Sequence, residues 1–245
     1  MPSRAEFLDV VRNLAAECQR YGVEITTGAE ATAASLRAES PDAVVLATGA
    51  RPQAPYWAGG HPRVVDVRDV LEGRAEPAGR IVVVDDLGFH QATSVAELLA
   101  DRGCEVEIIT AGMVVGQDLG ITLDMETFNV RAHAKGIRQA TDLVVIGAAA
   151  ADGEGGADGE GGADEEAGGS GGGSGVELAL LHHPTGEAAR RRCDWVVCAV
   201  HQAPEDSLWQ QLRGAPFEVH RVGDCVTPRR AHAAVIEGHR VAVAL

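Results

Sequence analysis

Residues 80–110 read RIVVVDDLGFHQATSVAELLADRGCEVEIIT, and this stretch decides the fold. Ile81–Val84 is an unbroken apolar run, the pattern of a strand covered on both faces. Asp85–Gln91 follows as a loop. Ala92–Arg102 carries helix formers and stops at Gly103, a residue that tolerates the left-handed backbone of a helix end. Cys104–Thr110 then returns to a strand pattern. Two strands joined through a crossover helix pair in parallel, so the unit predicts a parallel sheet.

The alternation continues on both sides. Toward the N-terminus, Ser3-Arg4-Ala5-Glu6 is a capping-box pattern. Phe7, Val11, Leu14, Cys18 and Tyr21 then recur at helical spacing, and Gly22 ends the stripe. Val23–Thr27 reads as a strand and Ala31–Ala38 as a short helix or turn. Asp42–Thr48 is nearly all apolar, as a buried parallel strand would be. Residues 51–79 hold Pro52, Pro55, Pro62 and Pro77 and read as a crossover between domains. Toward the C-terminus, a helix is predicted over Leu123–Lys135, stopped by Gly136. Strands are predicted at Asp142–Ile146, Val176–Leu181, Cys193–Val200 and Glu218–Val222. A short helix at Ser207–Leu212 and a longer one over Ala231–Leu245, after the turn Gly223–Arg230, complete the pattern. The class is α/β with a parallel, Rossmann-like sheet.

Composition narrows the chemistry. The 245 residues carry 21 basic and 36 acidic side chains, a net charge of −15. Nucleic acids and anionic membrane surfaces call for basic patches, so neither is an expected partner. No run is long and apolar enough for a transmembrane helix, and the N-terminus lacks an apolar signal core. Five scattered cysteines, with no Cys-x-x-Cys, fit a reduced, cytoplasmic protein. Residues 151–175, ADGEGGADGEGGADEEAGGSGGGSG, hold seven of the acids, no base and 12 of the 30 glycines. Without them the 21 basic and 29 remaining acidic residues leave −8. Such a stretch cannot bury enough apolar area to offset its ordering entropy, and it reads as a disordered, solvated loop. A calcium-binding repeat would need a recurring apolar position, which the hexad ADGEGG lacks.

Three motifs have chemical readings. The turn DDLGFHQATS lies where a dinucleotide-binding unit holds phosphate. It has one glycine, Gly88, while Asp85 and Asp86 would repel a pyrophosphate. A nucleotide site and a plain structural unit both remain open there. Cys193-Asp-Trp-Val-Val-Cys198 has an odd offset that would send its thiols to opposite faces of one strand, which favours packing over a redox pair. The histidines show no zinc spacing, and His182-His183 precede a Pro-Thr-Gly turn, so no metal site is expected. In VGDCVTPRRAHAAVIEGHRVA, residues 222–242, Asp224 closes a strand and a helix begins near Ala231. Asp224 could accept hydrogen bonds from ligand hydroxyls, and the helix start would favour partial negative charge. A turn aspartate in a plain strand-turn-helix reads equally well.

VVLATGARP, residues 44–52, together with the 222–242 stretch, resembles the flavoproteins that carry two dinucleotide-binding domains. The closest likeness is to the C-terminal region of the Old Yellow Enzyme-like NADH:flavin oxidoreductases, of the 2,4-dienoyl-CoA reductase, trimethylamine dehydrogenase and mycofactocin-associated types. The degenerate turn after IVVVDD also resembles that group. The resemblance implies FAD in one domain and NAD(P)H or ADP in the other. It places Thr48 and Gly49 at the domain junction, Gly223 and Asp224 on the flavin ribityl chain, and the helix from Ala231 at the flavin ring. Gly88 would belong to the second nucleotide site.

Family members begin with a TIM barrel holding FMN and an iron–sulfur cluster, followed by a strand-GxGxxG-helix that grips FAD. Neither segment lies in these 245 residues. Residues 1–55 and 201–245 therefore resemble a partial FAD domain, and 56–200 an NAD(P)- or ADP-type domain. The expected activity is transfer of reducing equivalents between NAD(P)H and flavin. A separate partner chain would supply the missing strand and barrel. Since the reductive chemistry resides on the flavins, no catalytic residue is assigned. The alternatives are a non-catalytic ADP-binding or assembly module and an inactive truncated product.

Overall fold

The computed structural model describes residues 5–151 and 175–245. Most of the glycine-rich acidic segment, and the first two residues of the Ser3–Glu6 capping pattern, lie outside the described residues. In chain order the elements are helices α1 (Leu8–Arg20) and α2 (Ala33–Glu39), strands β1 (Ala43–Leu46), β2 (Ala50–Arg51) and β3 (Val64–Asp66), helix α3 (Val67–Leu71), strand β4 (Arg80–Asp85), helix α4 (His90–Asp101), strand β5 (Glu105–Ile109), helix α5 (Met125–Ala134), strands β6 (Arg138–Ala140), β7 (Leu143–Ala150), β8 (Val176–His182), β9 (Glu187–Cys193), β10 (Trp195–Ala199) and β11 (Ala203–Pro204), helix α6 (Ser207–Gln211), strand β12 (Glu218–Arg221) and helix α7 (Ala231–Ala244). They divide between two compact units. One spans Ala54–Val200; the other joins the chain up to Gln53 with His201–Leu245.

The Ala54–Val200 unit has three layers. Its centre is a fully parallel sheet in the order β3-β10-β4-β5-β6. Successive side chains on a strand point to opposite faces. Accordingly Ile81, Val83, Val106, Ile108, Val197 and Ala199 join the core under α3, α4 and α5, which closes on Leu99 and Phe128. Val82, Val84, Ile109, Val196 and Cys198 join a second core on the opposite face. There they meet Leu178 and Leu180 of the antiparallel sheet β7-β8-β9, with Trp57 alongside. Continuous apolar strands are what a sheet covered on both sides requires.

Several expectations for this unit change. The strands are not all parallel, because β7, β8 and β9 form an antiparallel meander. The segment after Asp142 is longer than its apolar run, extending to Ala150. Cys193–Val200 is two strands: Cys193 ends β9, and Asp194 turns the chain into β10. The two thiols are therefore not on opposite faces of one strand; both lie in the same buried cluster and are free. Burial pushes Cys193 up to about 12 and Cys198 higher still, so both are inert packing groups rather than thiolates. Residues 51–79 are more than a crossover, since they contribute β3 and α3 to this unit.

The second unit has a small core. Leu46, Leu212, Cys225 and Ala33 are its buried members, with Val44, Trp209, Phe217 and Val219 packed around them. Its longest sheet is the parallel pair β1-β12, and β2 and β11 form a short antiparallel pair. Helices α1 and α7 bury no residue. Leu8, Val11 and Leu14 of α1, and Val235 and Val243 of α7, are exposed. Asp42–Thr48 is a parallel strand only over Ala43–Leu46, and Val45 is exposed, so one face is uncovered. Val23–Thr27 forms no strand. A strand pattern becomes a strand only beside a partner backbone, and among the described residues this segment has none; Val23 and Ile25 lie exposed.

Candidate functional site

Strands β1 and β12 run side by side in register from Ala43↔Glu218 to Leu46↔Arg221. Their carboxyl ends therefore deliver two segments to the same edge, Ala47-Thr48-Gly49 and Val222-Gly223-Asp224. The Val222 amide donates to the Leu46 carbonyl at 2.9 Å, and the buried Cys225 thiol donates to the same oxygen at 3.1 Å. Ligands of open parallel sheets bind outside the carboxyl ends of the strands, so this edge is the candidate site.

Each segment is held by identifiable bonds. The Thr48 hydroxyl donates to the Glu205 carbonyl at 2.5 Å, and the Glu205 amide donates to the Gly49 carbonyl at 3.0 Å. Thr48 is exposed, and its oxygen retains lone pairs for a ligand donor. Gly49 sits at φ +78°, a left-handed turn, and a Cβ there would meet nothing within 4 Å. Gly223 also has a positive φ, +71°, but lies tight: a Cβ would be 3.1 Å from that of Ala234 on α7. Only a hydrogen lets helix and turn approach this closely. Asp224 accepts from the Arg229 amide through Oδ1 at 3.0 Å, which closes the loop leading into α7. Its second oxygen has no partner among the described residues, so the carboxylate keeps a face for ligand hydroxyls. Ala231 opens α7 and is exposed; its N-cap, Arg230, gives no side-chain cap.

Glu237 was not singled out by the motif. It reaches back from α7 to accept from the Gly223 amide at 2.8 Å and pairs with Arg229. The Arg229 side chain first, and the Gly223 amide second, hold its carboxyl below the ordinary glutamate range. One carboxylate thus ties turn, loop and helix together. Its position, fourteen residues after Gly223, carries no local pattern; only the fold makes the two neighbours.

Thr48, Gly49, Gly223, Asp224 and Ala231 all belong to this unit. Gly88 belongs to the other. There it follows β4 at φ +63°; its amide donates to Asp85 Oδ1 at 2.8 Å, and its carbonyl accepts from the Asp118 amide at 2.8 Å. Among the described residues no group of His, Cys, Asp and Glu could hold a metal ion, and no helix is long and apolar enough to cross a membrane.

No protein-family model matches the chain. It is similar to N,N-dimethylglycine/sarcosine dehydrogenase of Chromohalobacter salexigens, 27% identical over a 277-position alignment covering 98% of this chain and 37% of that protein. It is also similar to a bilirubin reductase of Mediterraneibacter gnavus, 28% identical over 226 positions, 91% of this chain and 30% of that one. The chain thus spans about a third of either relative. Among solved structures, a 2-naphthoyl-CoA reductase matches all of the chain and 33% of its own length at TM-score 0.77 and 24% identity. Histamine dehydrogenase from Rhizobium sp. 4-9 matches 93% of this chain and 35% of its own at TM-score 0.73 and 19% identity. The relatives are oxidoreductases, and the likeness to the solved structures extends over both units and agrees with the Rossmann-like α/β reading.

Proposed function

We propose that this chain is the flavin- and nicotinamide-handling region of an oxidoreductase of the Old Yellow Enzyme-like NADH:flavin type, acting as a fragment or split subunit. The observation that carries the reading is the convergence of Thr48-Gly49 and Gly223-Asp224 at the carboxyl ends of adjacent parallel strands. The relatives, named as dehydrogenases and reductases, point the same way.

The residues fit one part of FAD. The uncommitted Asp224 oxygen suits ribityl hydroxyls. The start of α7 suits the partial negative charge of a reduced ring. When bound, the flavin would supply hydride acceptance and release. Among the described residues of this unit, however, no glycine-rich strand–turn–helix is present to cradle the FAD diphosphate. The uncovered face of β1, the unpaired Val23–Thr27 segment and the exposed apolar residues of α1 and α7 all fit a further strand, contributed by a polypeptide segment that also carries the barrel. In this reading FMN and the iron–sulfur cluster belong to that segment.

Titration with FAD, read by quenching of flavin fluorescence, tests this reading. The expected result is weak, saturable binding that Asp224→Ala weakens further. Stoichiometric yellow flavin in the purified chain would overturn the incomplete-domain part. An unchanged affinity in the variant would overturn the ribityl assignment.

A second reading, a non-catalytic assembly module, is favoured by the chemistry of the turn after β4, which departs from a working phosphate cradle. Calorimetric titration with NADH, NADPH and ADP separates the two. A nicotinamide response supports the oxidoreductase, and ADP binding without any nicotinamide response supports the module.

A further inference from the structure

The turn that follows β4 carries its own anion. Asp85 is the last residue of the strand, and only 1% of its surface is exposed. Its Oδ1 accepts from the amides of Leu87, at 3.2 Å, and Gly88, at 2.8 Å. Its Oδ2 accepts from the amide of Gly116, at 3.1 Å, in a loop 31 residues further on. The adjoining amides are also engaged: Asp86 donates to the Ala199 carbonyl, Asp118 to Gly88 and Leu119 to Gly116.

Convergent backbone amides beside a helix start are what a nucleotide phosphate binds. Here a carboxylate of the chain already receives them. Gly88 and Gly116 both stand at positive φ, +63° and +64°, which turns their amides toward it. A substitute at Gly116 would be strained, since it would have to hold φ +64° and move Leu119, whose Cδ1 lies 2.8 Å from where a Cβ would fall.

We infer that Asp85 is a resident anion that fills this cradle, so the turn after β4 determines specificity by refusing diphosphate-bearing ligands. A phosphate would have to displace a buried, covalently tethered carboxylate of the same charge sign. The side chain does a second job as well. It bridges the turn and the 112–118 loop, a link that a departing nucleotide would break. The inference rests on this geometry and is independent of the flavin reading of the other unit; a nicotinamide cofactor held by this unit would place its diphosphate away from the turn.

The test uses the full chain and the probes ADP, NADH, inorganic phosphate and formate. For the unsubstituted protein, none of the four should alter hydrogen exchange at the Gly88 and Gly116 amides. Asp85→Ala should melt at a lower temperature and regain part of the loss, saturably, with formate or phosphate. Asp85→Asn, which keeps one carbonyl oxygen, serves if the alanine variant does not fold. It should raise exchange at one side of the bridge by roughly tenfold, as for one lost hydrogen bond, while sparing the other. ADP or NADH that protects the Gly88 and Gly116 amides of the unsubstituted protein would overturn the inference. So would a folded alanine variant that ignores all four anions, or an asparagine variant with unchanged exchange at both amides. Nucleotide binding that leaves both amides untouched supports it, because the carboxylate then remains in place.

Discussion

Replacing residues 152–174 with a four-residue polar turn should stabilise the unit that carries β7 and β8. The ends of the segment are already together: the Ala151 amide donates to the Gly175 carbonyl at 2.8 Å, directly after the pair Ala150↔Val176. On the sequence reading that the excised residues bury no surface, they contribute only loop-closure entropy to a hairpin already closed at its base. Shortening it from about 23 residues to about 4 is roughly 2.5 halvings, at about 0.6 kcal/mol each, or about 1.5 kcal/mol. In a unit of this size that corresponds to a rise of about 3–6 °C in Tm. Gly175 must stay, because a Cβ on it would sit 2.5 Å from the Cys193 carbonyl oxygen. The change removes seven acids, so the comparison belongs at an ionic strength that screens exposed charge. Thermal melts and urea titrations of both forms read the result, with the urea m-value expected to stay constant. A lower Tm, or a smaller m-value in the shortened form, would show that the excised residues bury surface and would refute the reasoning.

Three further outcomes follow from single side chains. Arg131 donates two bonds of 2.9 Å to Glu97, which is 7% exposed; Arg131→Met should cost about 1–3 kcal/mol in urea denaturation, and the double variant with Glu97→Leu should recover most of it. Leu123 is exposed at φ +59°, so Leu123→Gly should stabilise by about 0.5–1 kcal/mol; destabilisation would mean that its side chain packs on something. Glu237 has a folded-state pKa below its unfolded value, so its contribution is present above the ordinary glutamate range and is lost as pH falls through the folded value. Glu237→Gln should flatten that acid-side loss, and parallel stability–pH curves for the two forms would contradict the Arg229 and Gly223 assignment.

Local sequence was enough for β4, α4 and β5. Ile81–Val84 is apolar throughout because both faces are covered, and Gly103 marks the helix end through its left-handed backbone. The helical stripe from Phe7 to Tyr21 and the stop at Gly22 were legible for the same local reasons: one-face periodicity and a residue without Cβ. The two Gly-containing motifs were legible as motifs, since glycine is the residue that most readily adopts a turn of positive φ.

Tertiary structure decided what depends on a neighbour. Strand β9, EAARRRC, has no apolar run; it is a strand because β8 pairs with it and because Arg190 and Arg192 lie against Glu177. Val23–Thr27 has the residues of a strand and no partner strand among the described residues. Asp85 looked like a repulsive charge in the sequence, yet in three dimensions it accepts three amides, one of them from a loop remote in the chain. Backbone preference and periodicity are properties of neighbouring residues and can be read along the chain. Pairing, burial of charge and the meeting of two strand ends are properties of distant ones, and only folding brings those together.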